Sequence, residues 1–356
     1  MKNNKIYGII KRIYKNERGD ALEYVTLGKT GLKISRVGFG GIPIQKVDEK
    51  GSANLMKAVA DSGINFIDTA RAYTVSEELI GNALVGMRDK FVIATKSMAR
   101  TRDAMAADIE TSLKNLKTDY IDIYQIHNVS MDQLAVVCGE GGALEALNEA
   151  KKQGKIGHIG LTAHSLEVFE YAASLEWVET LMFPYNIVET QGEDIIKKCR
   201  ENNVGFICMK PLAGGALENG TLAMRFIAAN ENVDVIIPGM CNEREVEINV
   251  SAVCDKSPLS ESELAEIEKI RRELGTNFCR RCNYCQPCAA GINISGVFLF
   301  GGYLERYGLE DWARARYATL SSKASACIGC GACESRCPYN LPIREMLKKY
   351  AVAFGE

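Results

Sequence analysis

The chain predicts a closed (β/α)8 barrel followed by a small, mainly helical, cysteine-rich module, and three observations carry that expectation. Between Arg36 and about Met240, eight short β-rich runs alternate with helical stretches, the pattern of a parallel sheet crossed by helices. Eight such units fit a closed barrel of about 250 residues. The alternative, an open doubly wound sheet, would normally open its first unit with GxGxxG, and no such turn is present. Finally, eight of the 13 cysteines fall into two C-terminal runs, "CRRCNYCQPC" and "CIGCGACESRCP".

The elements follow in order. Residues 1–22 are a basic extension, read as helical or disordered, whose apolar run Ile6 to Ile10 is too short to span a bilayer. Residues 23–275 are the barrel region. Its first segment, "EYVTLGKTGLKISRV", places "GKTG" between two alternating stretches and predicts a hairpin capping one mouth. The strands expected next are "RVGFGGI", "INFIDTA", "FVIATK", "YIDIYQIH", "KIGHIGLT", "TLMFPYN", "VGFICMKP" and "VDVIIPG". Most stretches between them, such as "RDAMAADIETSLKNL" and "GEDIIKKCRENN", space apolar residues at helical intervals. Ser260 stands three residues before Glu263, a capping-box pattern that starts a helix. The boundary to the module, residues 276–356, falls near Gly275. Within it, "GVFLFGGYLERYGLEDWARARYATL" reads as one long helical stretch.

Composition narrows the function. The 356 residues are 47% hydrophobic and carry a net charge of -2, so no strong field favours nucleic acid or an anionic membrane. A small-molecule partner is expected instead. No segment reaches transmembrane length, and no secretory signal pattern opens the chain, so thiols kept reduced in the cytoplasm are the expectation.

In a β/α barrel, side chains at the C-terminal ends of different strands converge on one rim. Four such positions here hold a workable proton-transfer set: Asp68, Tyr73 five residues on, Lys96 and His127. A phenol is a weak acid at neutral pH, with a pKa near ~10, but an adjacent ammonium stabilises its phenolate. Lys96 supplies that charge, Asp68 holds Lys96, and His127 donates to a carbonyl oxygen as charge develops on it. Taken singly, each has an ordinary reading: a helix-capping Asp, a solvated Lys, a Tyr at the core rim. Four together at strand ends reverse those odds.

The segments "FIDTARAY", "ATKS", "SLKNLKTDYIDIYQIH", "IGLTAHS", "PYN" and "IIPG" together resemble the aldo-keto reductases, over about Glu23 to Val253. The resemblance implies a nicotinamide-dependent barrel in which Tyr73 is the general acid, Lys96 and Asp68 tune it, and His127 orients the substrate carbonyl. It also implies that Thr162, Ala163 or His164, and Asn186 approach the nicotinamide. "KPLAGG", with Lys210, Pro211, Leu212, Gly214 and Gly215, lies by the pyrophosphate, and Gly239, Arg244 and Asn249 complete the candidate cofactor contacts. Three departures stand out. Met209 occupies a position where an aromatic ring often stacks on the nicotinamide. Thr162-Ala163-His164 replaces a Ser-Asn pair, and Gly239 and Glu245 stand where cations often meet a 2'-phosphate. NAD(H) is therefore favoured over NADP(H), although Arg244 lies one residue from Glu245.

The run from Cys327 fits C-x2-C-x2-C-x3-C-P, in which three cysteines of a bacterial ferredoxin grip one [4Fe-4S] cluster and the fourth reaches the other cluster. The earlier run, Cys279, Cys282, Cys285 and Cys288, has two residues before its fourth cysteine and Ala289 where proline is usual. By analogy, Cys279, Cys282 and Cys285 pair with Cys337, and Cys327, Cys330 and Cys333 pair with Cys288; ligation of the first cluster by four consecutive cysteines is the alternative. A zinc site would use only four of these eight thiols. Cys138, Cys199, Cys208, Cys241 and Cys254 are scattered and read as small apolar residues. The whole chain thus resembles the aldo-keto reductases that carry a C-terminal helical dicluster domain.

The two halves are in tension, because nicotinamides move two electrons as hydride whereas each cubane moves one, and direct exchange needs a converter such as a flavin. No flavin motif is visible. Three readings follow: a reductase of a small carbonyl (or dehydrogenase of an alcohol) with largely structural clusters; an oxidoreductase linked to a ferredoxin or other redox partner, with flavin or a radical-tolerant substrate in the barrel; and a non-catalytic nucleotide-binding redox sensor.

Overall fold

The computed structural model describes residues 22–275 and 277–356; the expected extension therefore lies, up to residue 21, outside the described residues. A two-stranded antiparallel hairpin comes first, β1 (Tyr24–Thr26) and β2 (Lys33–Ser35), with Tyr24 opposite Ser35. Eight parallel strands follow: β3 (Phe39–Gly40), β4 (Phe66–Asp68), β5 (Val92–Ser97), β6 (Ile121–Ile126), β7 (Ile156–Thr162), β8 (Thr180–Pro184), β9 (Gly205–Met209) and β10 (Val235–Ile236). Each pairs with the next, and the parallel bridges Val37–Ile236 and Gly40–Gly239 join the last to the first. The sheet is therefore a closed barrel, and every expected run contains a strand.

The helices that cross between strands are α1 (Glu49–Asp61), α2 (Ser76–Ala83), α3 (Arg102–Asn115), α4 (Met131–Cys138), α5 (Ala143–Lys152), α6 (Leu166–Ala172), α7 (Glu193–Glu201), α8 (Gly220–Ala228) and α9 (Glu243–Cys254). Their apolar faces meet the outward strand residues in one large buried cluster that includes Leu55, Ile109, Leu147, Phe169 and Phe206. A second cluster fills the barrel itself, with Phe66, Ala94, Ile123, Met182, Ile207 and Val235. Leu27 and Ile34 of the hairpin complete that inner cluster. The hairpin thus plugs the mouth at the N-terminal ends of the strands: Lys29 N donates to Asn203 O, just before β9, at 2.6 Å. Gly28 is required there, since its φ is 47° and a Cβ would collide with the backbone nitrogen of Gly205. Function is left to the other mouth, at the strands' C-terminal ends.

The chain divides into two compact units. The barrel strands and α1–α9 form the first; the second comprises Ile187–Glu189, Ala213–Glu218 and Ser260–Glu356. The second unit contains α10 (Glu261–Gly275), α11 (Ile294–Glu305), α12 (Glu310–Ala318), α13 (Ala332–Ser335) and α14 (Ile343–Phe354). The capping box at α10 is present, with Ser260 N donating to Glu263 Oε2 at 2.8 Å and Glu263 N to Ser260 Oγ at 3.3 Å. The expected long helix is broken into α11 and α12 around Gly308, whose φ is 59°. Gly301 admits the ring of Tyr350 from α14, which a Cβ would displace. No helix among the described residues is long and apolar enough to cross a membrane.

Candidate functional site

Strands β4, β5 and β6 deliver the proton-transfer set to one rim. Lys96 Nζ lies between two acceptors, Asp68 Oδ2 at 2.5 Å and Thr69 O at 2.8 Å. Gln125 Nε2 donates to the other Asp68 oxygen at 3.2 Å. Asp68 and Lys96 are 3% and 1% exposed, so this ion pair has left water almost entirely. Burial pushes the Lys96 ammonium down, opposed by Asp68, and pushes the Asp68 carboxyl up, opposed by Lys96 and then Gln125. The ammonium faces the Tyr73 ring at 4.9 Å from its centroid, and that ring meets His127 edge-on, with centroids 6.0 Å apart. All four expected residues are therefore neighbours at the C-terminal end of the barrel.

A second set of side chains, not singled out from the sequence, fixes the segment that bears Tyr73. Glu77, 1% exposed, accepts from Thr95 Oγ1 at 2.7 Å, Ser112 Oγ at 2.8 Å and Arg71 Nη1 at 2.7 Å. Arg71 N in turn donates to Lys96 O at 3.0 Å. The loop from Asp68 to Glu77 is thus pinned at both ends. Gln125 was also not expected. A signal was available in the charged residues Arg71 and Glu77, which flank Tyr73 in "RAYTVSE".

Of the candidate cofactor contacts, Thr162 ends β7, Asn186 follows β8, and Lys210, Pro211 and Leu212 follow β9. Thr162 Oγ1 accepts from Asn128 N at 2.8 Å, and His164 Nδ1 lies 2.9 Å from Asn128 Oδ1. Asn186 Nδ2 donates to Lys210 O at 2.9 Å. Gly239 packs against Pro43, where a Cβ would approach Cγ to 2.7 Å. Arg244 is exposed at the start of α9, and Asn249 is buried on it. Glu245 turns its carboxylate back onto Cys241 N at 2.7 Å. Gly214 and Gly215, with φ of 65° and 80°, belong to the second unit, where Arg306 Nε donates to Gly214 O at 2.8 Å.

Six of the eight clustered cysteines share the small core of the second unit: Cys285, Cys333 and Cys337 are buried in it, with Cys279, Cys288 and Cys327 packed against it. Cys330 is exposed and Cys282 half-buried. Burial pushes the Cys279 thiol up; the Arg281 guanidinium and backbone N–H oppose this, while Cys282 and Cys337 add to it. Burial also raises Cys282, with the Tyr284 N–H opposing and Cys337 adding. Cys285 is pushed up to about 12 by burial, with Cys279 and Cys282 adding. Burial raises Cys333, against the Glu334 N–H. Cys279, Cys282 and Cys285 therefore lie within electrostatic reach of one another, and Cys337 of the first two. The peptide N–H groups of Arg281 and Tyr284 favour the thiolates of Cys279 and Cys282, the donor chemistry that suits a buried anionic iron–sulfur cluster. Among the described residues, no three His, Cys, Asp or Glu side chains are grouped closely enough to hold a single metal ion. Of the scattered cysteines, Cys199, Cys208 and Cys254 are buried, as small apolar residues would be, Cys241 is half-buried and Cys138 is exposed.

Comparison with known proteins agrees with this division. Residues 36–221 match the model of the aldo/keto reductase family, and residues 278–342 match that of the 4Fe-4S dicluster domain. The chain is 31% identical over 229 residues to aldo-keto reductase YhdN of Bacillus subtilis, covering 56% of this chain and 66% of that protein's length. It is 28% identical over 302 residues to L-galactose dehydrogenase of Arabidopsis thaliana, covering 70% and 94%. The holo form of aldo-keto reductase AKR11C1 from Bacillus halodurans superposes with a TM-score of 0.62 at 25% identity, covering 70% of this chain and 96% of that one. The barrel, the matched family and these oxidoreductase relatives lead to one conclusion: the chain belongs to the aldo/keto reductase family and is an oxidoreductase with a C-terminal 4Fe-4S dicluster domain.

Proposed function

We propose that residues 23–275 interconvert a small carbonyl compound and its alcohol with a nicotinamide cofactor, NAD(H) favoured, and that residues 276–356 hold two [4Fe-4S] clusters in a reducing, cytoplasmic setting. The observation that carries the catalytic reading is Lys96 Nζ, buried between Asp68 and Thr69 and facing the Tyr73 ring at 4.9 Å. A bound nicotinamide supplies or accepts the hydride. The chain's own residues manage the proton. Tyr73 gives its phenolic proton to the carbonyl oxygen, and the Lys96 ammonium stabilises the phenolate left behind. Asp68 and Gln125 keep Lys96 in place, and His127, whose ring stands edge-on to that of Tyr73, orients the carbonyl. Thr162, His164, Asn186, the turn from Lys210 to Gly215, Gly239, Arg244 and Asn249 make up the cofactor contacts. The preference for NAD(H) rests on Gly239, which brings no cation, and on the negative charge of Glu245 at the start of α9.

The cluster ligands follow the pairing of Cys279, Cys282 and Cys285 with Cys337, and of Cys327, Cys330 and Cys333 with Cys288; Cys337 acts electrostatically on Cys279 and Cys282, while Cys285 is influenced by Cys279, Cys282 and also Cys333. Cys327 likewise acts on Cys333. The presence of a dicluster domain favours a second reading, electron exchange with a ferredoxin through flavin or another converter in the barrel. An absorbance scan of anaerobically purified protein separates the two, since bound flavin has bands that bare clusters lack.

The test of the first reading is turnover of NADH or NADPH on a panel of aldehydes and ketones by the wild type and Tyr73→Phe. The variant keeps the ring and should keep nucleotide binding, while carbonyl reduction falls on the order of a hundred- to ten-thousand-fold. Wild-type rates in Tyr73→Phe would refute the assignment.

A further inference from the structure

Three consecutive residues, Ile187 to Glu189, follow Asn186 directly and belong to the second unit, within which each is held by a different arginine. Arg271 Nε donates to Ile187 O at 3.0 Å, Arg280 Nε donates to Val188 O at 3.1 Å, and Arg281 Nη2 pairs with Glu189 Oε1 at 2.7 Å. The last pair is secluded, with side chains 11% and 0% exposed. Arg280 and Arg281 are also the two residues between Cys279 and Cys282. Arg281 Nη1 donates to Cys279 O at 3.2 Å. Arg280, 8% exposed, lies 3.9 Å over the ring of Tyr339, two residues beyond Cys337. The same two guanidiniums therefore grip the loop of the proposed first cluster and the backbone next to a proposed nicotinamide contact.

We infer that Arg280 and Arg281 are positioning residues that couple the redox state of the first cluster to nicotinamide binding at Asn186. This rests on the proposed function for both the cluster and the nucleotide. The physical link is competition for one cation. Reducing the cluster adds a negative charge beside Cys279, and the Arg281 guanidinium already serves both the Cys279 carbonyl and the Glu189 carboxylate. In a secluded site, where charges are weakly screened, that extra charge draws the guanidinium toward the cluster and loosens its hold on Glu189. The turn carrying Asn186 then shifts, and the affinity for the nucleotide changes with it. Thermodynamic linkage makes the effect reciprocal, so bound nucleotide must also bias the cluster's reduction. Such a device gives an iron–sulfur module a role in a hydride-transferring barrel without any direct electron exchange with the nicotinamide.

The experiment uses the anaerobically prepared full chain and 1,4,5,6-tetrahydro-NAD, a dinucleotide that cannot transfer hydride, so that binding is measured free of turnover. Its dissociation constant is determined by calorimetry with the clusters oxidised and again after dithionite reduction. In the wild type the two values should differ by at least about fivefold, the lower end of typical couplings between sites. In Arg281→Gln the values should converge while the iron content stays at the wild-type level. Arg281→Lys, which keeps a cation for Glu189, should retain part of the difference. If Arg281→Gln loses iron, Arg280→Gln carries the same test through Val188 and Tyr339. Equal wild-type dissociation constants in the two redox states would overturn the inference, as would an undiminished ratio in both glutamine variants. Absence of iron or of dinucleotide binding in the wild type is a different result: it would sink the proposed function itself, and this inference with it.

Discussion

Lys96 and Glu77 are buried charges with different duties, and substituting each should show it. Lys96→Met removes the cation facing Tyr73 and leaves Asp68 unpaired, so carbonyl reduction should fall, steady-state kinetics showing the loss mainly in kcat. Some stability is lost as well, because a buried ion pair stripped of one partner costs about 3–5 kcal/mol. Glu77→Gln touches no substrate. It weakens the hold on Arg71, Thr95 and Ser112, and a loss of about 2 kcal/mol, read from the midpoint of urea unfolding, is expected. Tyr73, Lys96, Asp68 and His127 could be picked out from the sequence because each stands at or just beyond a recognisable strand end. Glu77 could not, since its partners lie 6 to 38 positions away and meet it only once β5 and α3 are in place.

At the scale of elements, the strands were legible because a parallel strand covered on both sides is a short apolar run, as in "FVIATK" and "TLMFPYN". Helix α4 was not expected: it spans only Met131–Cys138, although Ser130 and Gln133 form a capping box at its start. The break between α11 and α12 was hidden by a helical pattern that continues across Gly308. Strands β7 and β8 are tied by Glu179, where burial alone would raise the carboxyl. His158, Lys151 and the Ile159 N–H outweigh it, and the group falls to about 2 from 4.5. A carboxyl whose folded pKa is depressed stabilises the fold above its unfolded pKa, and that stability is lost as pH falls from about 4.5 toward 2. Thermal unfolding of the wild type and Glu179→Gln should therefore differ at neutral pH and converge across that window. Ser260→Ala should cost about 1 kcal/mol through the lost cap of α10, measured by chemical denaturation.

For the whole molecule, the two cubanes proposed require about eight iron atoms per chain, to be counted together with acid-labile sulfide after anaerobic purification. Cys330→Ala should lose iron and destabilise the C-terminal module, while Cys138→Ala, exposed at the end of α4, should leave both iron and stability near wild type. Stoichiometric zinc with little iron would contradict the cluster assignment. The central claim is narrower: Tyr73 is the proton donor and Lys96 acts through it. A double-mutant cycle on carbonyl reduction tests that directly, comparing the wild type, Tyr73→Phe, Lys96→Met and the double variant on one verified substrate. If Lys96 works by stabilising the Tyr73 phenolate, the double variant should be about as slow as Tyr73→Phe alone, because no phenol remains to be assisted. Losses that multiply in the double variant, or wild-type activity without the Tyr73 hydroxyl, would contradict the account.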